Sequence, residues 1–137
     1  MNPDLHPADY EAMAAFRYAM RKFLGFSKRA LKLEAQMTPE QYEALLALKA
    51  FAGETGLTIG QLSERLQVKH HTAVGLVNRM AELGFVRREP AEADRRRVFV
   101  RLTPDGSRVL AKVAAVHRQE VRIRSPEMIE ALIRLRE

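Results

Sequence analysis

Two groups of side chains in this chain could do chemistry, and both suit a polyanion. Asp94-Arg95-Arg96-Arg97 sets a carboxylate before a run of guanidinium groups. A guanidinium is a fixed cation whose planar donors match phosphate and base edges, and a carboxylate beside it can hold it in one orientation. Upstream, Lys69, His70, His71, Thr72, Val74, Gly75, Asn78 and Arg79 are the outward positions of a short helical pattern. Its inward positions are Ala73, Leu76, Val77 and Met80. Arginine and asparagine can reach bases or phosphates, and neutral histidines can donate or accept hydrogen bonds. A helix pair beside an arginine-tipped hairpin suits a groove-reading element next to an arm that touches phosphate or the minor groove.

Other chemistries find no residues to carry them. The chain has no cysteine, which excludes disulfides, thiolate metal sites and thiol redox sensing. His6 and His117 stand apart, while His70 and His71 are neighbours that diverge on a helix and cannot share a metal. No Ser-His-Asp arrangement, glycine-rich phosphate loop or paired-carboxylate helix is visible, so neither an enzyme nor a cofactor is expected. The formal charge of +6 fits DNA, RNA or an acidic membrane surface and does not choose among them. Met1-Asn2-Pro3-Asp4 lacks a basic segment followed by an apolar run, and no apolar stretch nears the ~20 residues that span a bilayer. The expectation is a soluble, cytoplasmic protein with no membrane partner.

The elements that must position these groups follow from periodicity. Pro7 to about Leu33 reads as one long helix, with Met13, Phe16, Met20 and Phe23 on a stripe that Phe26, Ala30 and Leu33 continue. Thr38-Pro39-Glu40-Gln41 predicts a capping box opening a helix with Tyr42, Leu45, Leu46 and Leu48 on its apolar face, ended near Gly53 and Gly56. Thr58-Ile59-Gly60-Gln61 predicts a second box, then a short helix carrying Ile59, Leu62 and Leu66, a turn at Gln67-Val68-Lys69, and the helix just described to about Leu83, closed by Gly84. Phe85–Glu89 and Val98–Leu102 read as strands joined by the Pro90–Asp94 loop. Thr103-Pro104 predicts a helix toward Val121, and Ser125-Pro126-Glu127 a separate last helix with Met128, Ile129, Leu132 and Ile133.

The fold class is therefore mainly α with a small β-hairpin: a winged helix-turn-helix flanked by N- and C-terminal helices. Residues 1–137 make a single domain, with a DNA-binding lobe over 38–103 and dimerisation helices over 7–34 and 104–137. The flanking stripes, through Met13, Phe16, Met20, Met128, Ile129 and Leu132, would be buried by meeting each other and a second copy.

The runs Leu62-Ser63-Glu64-Arg65-Leu66, Leu76-Val77-Asn78-Arg79-Met80, Gly84-Phe85-Val86-Arg87-Arg88, Asp94-Arg95-Arg96 and Leu102-Thr103-Pro104-Asp105-Gly106 resemble the MarR family of winged-helix transcriptional regulators over nearly the whole chain. The resemblance implies a homodimer on near-palindromic double-stranded DNA, usually a repressor relieved by a small ligand. It implies major-groove entry for the second helix and a minor-groove role for Arg96, oriented by Asp94, with Arg95 and Arg97 toward phosphate or solvent. It also places Phe16, Phe23, Phe26 and Tyr42 near an effector cleft suited to an aromatic or amphipathic ligand, although the same residues read as core. Lys69-His70 stand where the family favours serine, threonine or proline, and Gly75 where a long polar side chain is frequent. The competing reading is a winged helix that contacts protein or RNA without an operator. The exposed Lys69, Asn78, Arg79 and Arg96 argue against it.

Overall fold

A computed structural model describes residues 4–94 and 96–137. The order is α1 (Pro7–Ala35), α2 (Pro39–Phe51), β1 (Leu57–Thr58), α3 (Ile59–Leu66), α4 (His70–Glu82), β2 (Val86–Pro90), β3 (Val98–Leu102) and α5 (Pro104–Arg136). Both expected capping boxes form. The Gln41 amide donates to Thr38 Oγ1 at 3.2 Å, and the Thr38 amide to Gln41 Oε1 at 3.0 Å. At Thr58 and Gln61 the two bonds are 3.1 and 2.9 Å. Each box satisfies two amides that a helix start leaves open.

The chain divides into two compact units. One is Leu31–Val113. Leu31, Leu45, Leu48, Leu62, Val77, Met80, Val100 and Val113 are its largest fully closed side chains, each contributing about 1.5–3 kcal/mol by leaving water. Its sheet has the order β1-β3-β2 and is antiparallel, with Val86 opposite Leu102 and Pro90 opposite Val98. The sequence suggests a two-stranded hairpin starting at Phe85. The observed strand starts one residue later, and β1 adds a third strand by pairing Leu57 with Val100 and Thr58 with Phe99. Two residues are too few to show a period of two, so this edge strand leaves no pattern to read.

A joint ties the end of α4 to the start of α5. Gly84 takes φ +80°, where a side chain would be strained, and turns the chain into β2. Thr103 Oγ1 donates to the Gly84 carbonyl at 2.6 Å and accepts from the Gly106 amide at 3.0 Å. The Thr103 amide donates to the Phe85 carbonyl at 3.0 Å. Gly106 lies so close to Phe85 that a Cβ there would sit 2.0 Å from its carbonyl oxygen. The Leu-Thr-Pro-Asp-Gly motif is thus a packing device that fixes the wing's second strand and α5 against the end of α4.

The second unit comprises the residues up to Ala30 and Ala114–Glu137. Its closed positions are Ala12, Ala19, Ser27, His117, Glu120 and Ala131, so small and polar residues take the tightest places. The expected stripe is displaced by one position: Ala12 and Ala19 are closed, while Met13 is 37% exposed and Phe16, Met20 and Phe23 are half-buried. Leu33, read as part of the stripe, is 83% exposed, and Leu31 takes the buried place.

The last two helices expected from sequence are one. α5 runs through Pro126 without a break. Proline cannot donate to the Arg122 carbonyl one turn earlier. Ser125 Oγ donates to that carbonyl instead, at 3.3 Å. Arg124 spans the same turn, pairing with Glu120 at 2.8 Å and Glu127 at 3.8 Å. These contacts carry the helix past a residue that usually starts or ends one.

Candidate nucleic-acid interface

The turn between α3 and α4 puts a non-glycine residue in the left-handed region, Gln67 at φ 55° and ψ 46°. That conformation costs roughly 1–2 kcal/mol. Bonds from the Gln67 side-chain amide to the Glu64 carbonyl (2.7 Å) and from the Val68 amide to the Ser63 carbonyl (3.1 Å) offset it. The turn aims α4. Lys69 is its N-cap and makes no side-chain capping bond, in line with the poor capping chemistry of Lys69-His70.

On α4, Ala73, Val77 and Met80 are closed into the lobe. Lys69, His70, His71, Thr72, Gly75, Asn78 and Arg79 are exposed, and Val74 is half-buried. The outward set inferred from the helical period is therefore one continuous face. A Cβ built on Gly75 meets nothing within 4 Å, so the fold itself gives no reason for a glycine there. Arg79 pairs with Glu82 at 3.4 Å, an exposed contact of small energy. Asn78 has a partner on another element: Arg88, on β2, donates from its guanidinium to Asn78 Oδ1.

The wing turn is organised by Asp94. Its Oδ1 accepts from the Arg96 backbone amide at 3.0 Å and from Arg96 Nε at 3.3 Å. The Arg97 amide donates to the Asp94 carbonyl, and the Ala91 amide to the Arg97 carbonyl, each at 3.0 Å. The Arg96 side chain is 93% exposed, so the carboxylate orients it without covering it. Arg97 lies 5.8 Å from the centre of the Phe99 ring. Arg95 lies outside the described residues. Farther down, Arg87 and Arg101 sit directly opposite in register, a repulsive pairing. Glu89 relieves it, contacting Arg87 at 3.0 Å and Arg101 at 3.5 Å.

A sequence model of the MarR family matches residues 35–97. An HTH-type transcriptional regulator of Bacillus subtilis, YsmB, is 30% identical over 117 residues, covering 85% of this chain and 76% of that protein. The chain belongs to the MarR family. An HTH-type regulator of Mycobacterium leprae is 34% identical over 92 residues, 67% of this chain, and the aligned part spans 64% of that relative's length. A MarR family transcriptional regulator from Streptomyces coelicolor, solved in complex with DNA, superposes with a TM-score of 0.75 at 26% identity over 90% of this chain and 77% of its own. The MarR family is one of DNA-binding transcriptional regulators, not enzymes.

The remaining residues singled out from sequence fall in different places. In the helical unit, Phe16, Met20 and Met128 are half-buried, while Met13, Ile129 (54%) and Leu132 (44%) are exposed. Of the effector-cleft candidates, Tyr42 is buried in the core of the Leu31–Val113 unit, where burial raises its phenol above the ordinary value. Phe23 and Phe26 are half-buried and stand edge-on to His117, at 6.2 and 6.1 Å between ring centres.

Sequence reasoning missed two contributors. His117, dismissed for lack of a metal-like spacing, is closed, and its Nε2 lies 2.7 Å from Ser27 Oγ across the helical unit. Arg88 was visible only as part of a MarR-like run. Its partner Asn78 lies across the α4–β2 corner, a distance that no helical or strand period reports. Among the described residues no metal-capable cluster forms, and no helix is long and apolar enough to cross a membrane.

Proposed function

We propose that this MarR chain acts in the cytoplasm as a homodimer that binds a near-palindromic DNA operator, represses transcription from it, and is released by a small aromatic or amphipathic effector. The observation that carries the reading is the wing tip, where Asp94 holds an almost fully exposed Arg96 in one orientation. It stands in the same lobe as the polar outward face of α4. Narrow, A/T-rich minor grooves attract an arginine presented in this way, while the start of α4 suits the major groove.

The dimer is supported by what the helical unit leaves uncovered. Tyr10, Met13, Tyr18, Leu24, Val121, Ile123, Ile129, Leu132 and Ile133 are all exposed there. Apolar surface of that extent on one helical unit is what an obligate partner buries. Two copies would set the two lobes about one DNA turn apart. An effector would act by favouring a dimer whose lobe separation no longer matches that turn.

The test is a gel-shift titration against the DNA upstream of the chain's own gene, with competitor present, beside sedimentation of the free protein. The expected result is a dimer whose affinity falls steeply as salt rises, because phosphate contacts release counterions. A monomer that shifts no duplex would overturn the reading. Transcription from that promoter in vitro, with and without a panel of phenolic acids, checks repression and release.

A further inference from the structure

We infer that Arg88 is a positioning residue that commits Asn78 to donate, so that this recognition-helix side chain reads hydrogen-bond acceptors and disfavours adenine. The inference rests on the DNA-binding reading above and adds to it which way Asn78 can face.

The Arg88 guanidinium donates to Asn78 Oδ1. A guanidinium has donors and no acceptor, so only the carbonyl side of the amide can face it, and the assignment of oxygen and nitrogen follows from chemistry. Both residues are exposed. Asn78 is on the outward face of α4, opposite the closed Ala73, Val77 and Met80. Glu82, the nearest carboxylate on the same helix face, is engaged by Arg79 at 3.4 Å. A cleft lined by Asn78, Ala81, Glu82 and Arg88 opens beside the pair, and Asn78 is exposed while its oxygen faces Arg88.

Recognition of adenine by asparagine is bidentate: Oδ1 accepts from N6–H while Nδ2 donates to N7. With Oδ1 turned to Arg88, that geometry requires breaking a charge-assisted hydrogen bond. Nδ2 retains two N–H donors, and the cation polarises them outward. Guanine offers them two acceptors, O6 and N7, and thymine O4 or a phosphate oxygen also matches, whereas adenine offers N7 alone and sets its N6–H2 donor beside it. Arg88 thus selects among bases without touching one.

The experiment is binding-site selection from a random duplex library, using the full chain as parent, Asn78→Ala, Arg88→Met, Arg88→Lys and the double variant Asn78→Ala with Arg88→Met, with thermal melts as the folding control. Arg88→Met keeps the length and removes the donors, and Arg88→Lys restores a cationic donor. At the position whose preference Asn78→Ala abolishes, the parent should select guanine or thymine. Arg88→Met should shift preference there toward adenine by about tenfold or more, and Arg88→Lys should keep the parent pattern. If Asn78→Ala instead lowers affinity evenly across sequences, the acceptor is a phosphate. Arg88→Met must then lower it evenly too, with no further loss in the double variant. A parent that selects adenine at the Asn78-dependent position overturns the proposal, as do losses for Asn78→Ala and Arg88→Met that simply add. Failure of the parent to enrich any sequence is a different result, which removes the DNA-binding reading itself.

Discussion

Asp94 accepts from Arg96 twice through the same oxygen, at 3.0 Å from the backbone amide and 3.3 Å from Nε. The first bond shapes the wing turn and the second points the guanidinium. The two residues therefore divide the work, and their substitutions should differ in kind. Arg96→Ala removes the group proposed to reach DNA and should weaken operator binding by about 1.5–3 kcal/mol, the range of a hydrogen bond to a charged group. Asp94→Ala leaves the cation in place with more freedom, so its loss should be smaller. Gel-shift titrations of both variants at one salt concentration would show the order. No loss for Asp94→Ala would mean that orientation contributes nothing beyond charge, and a loss equal to that of Arg96→Ala would mean that an unoriented guanidinium contributes nothing.

Gly106 and Phe85 make a prediction about folding alone. A Cβ on residue 106 would lie 2.0 Å from the Phe85 oxygen, far inside contact distance, and neither backbone can move without breaking the Thr103 bonds. Gly106→Ala should cost about 3 kcal/mol or more, at the upper end of overpacking. Urea denaturation of the variant measures it. A change below about 1 kcal/mol would show that the joint gives way easily.

Tyr42 predicts an alkaline limb. Burial raises its phenol above the ordinary value of 10.0, which means the fold favours the neutral form. The associated stability is complete below pH 10.0 and is lost as pH climbs through the raised folded value. Tyr42→Phe cannot ionise, so its stability should fall less steeply over that window. Parallel slopes for parent and variant in urea midpoints against pH would remove Tyr42 as the cause.

Much of this was readable from the residues because the signals were local. Thr38 with Gln41 and Thr58 with Gln61 are three apart, and the capping boxes they announce are present. The inward set of α4 followed from one period, and the Asp94–Arg96 pair from adjacency in a turn. What escaped was decided at a distance or by rescue. Pro126 reads as a helix start until Ser125 and Arg124 are seen to bridge its gap. β1 exists only because β3 offers Val100 and Phe99 to two residues that have no pattern of their own. His117 found Ser27 on another helix, and Arg88 found Asn78 around a corner. In the helical unit Ala12 and Ala19 are closed while Phe16, Met20 and Phe23 are half-buried, a difference that the spacing of large apolar residues alone does not report.

Gly75 separates the demands of the fold from those of DNA. It is exposed in the middle of α4, and an added Cβ meets no atom within 4 Å. Glycine in a helix interior costs roughly 1 kcal/mol relative to alanine. Gly75→Ala should therefore stabilise the protein by up to about that amount, read as a higher urea midpoint. If α4 lies close against the major-groove floor, the same methyl group should lower operator affinity, so stability and binding move in opposite directions. A variant that gains stability and binds as tightly as the parent would show that the groove leaves room at this position. It would then be a tolerant surface site that tells nothing about how deeply α4 enters.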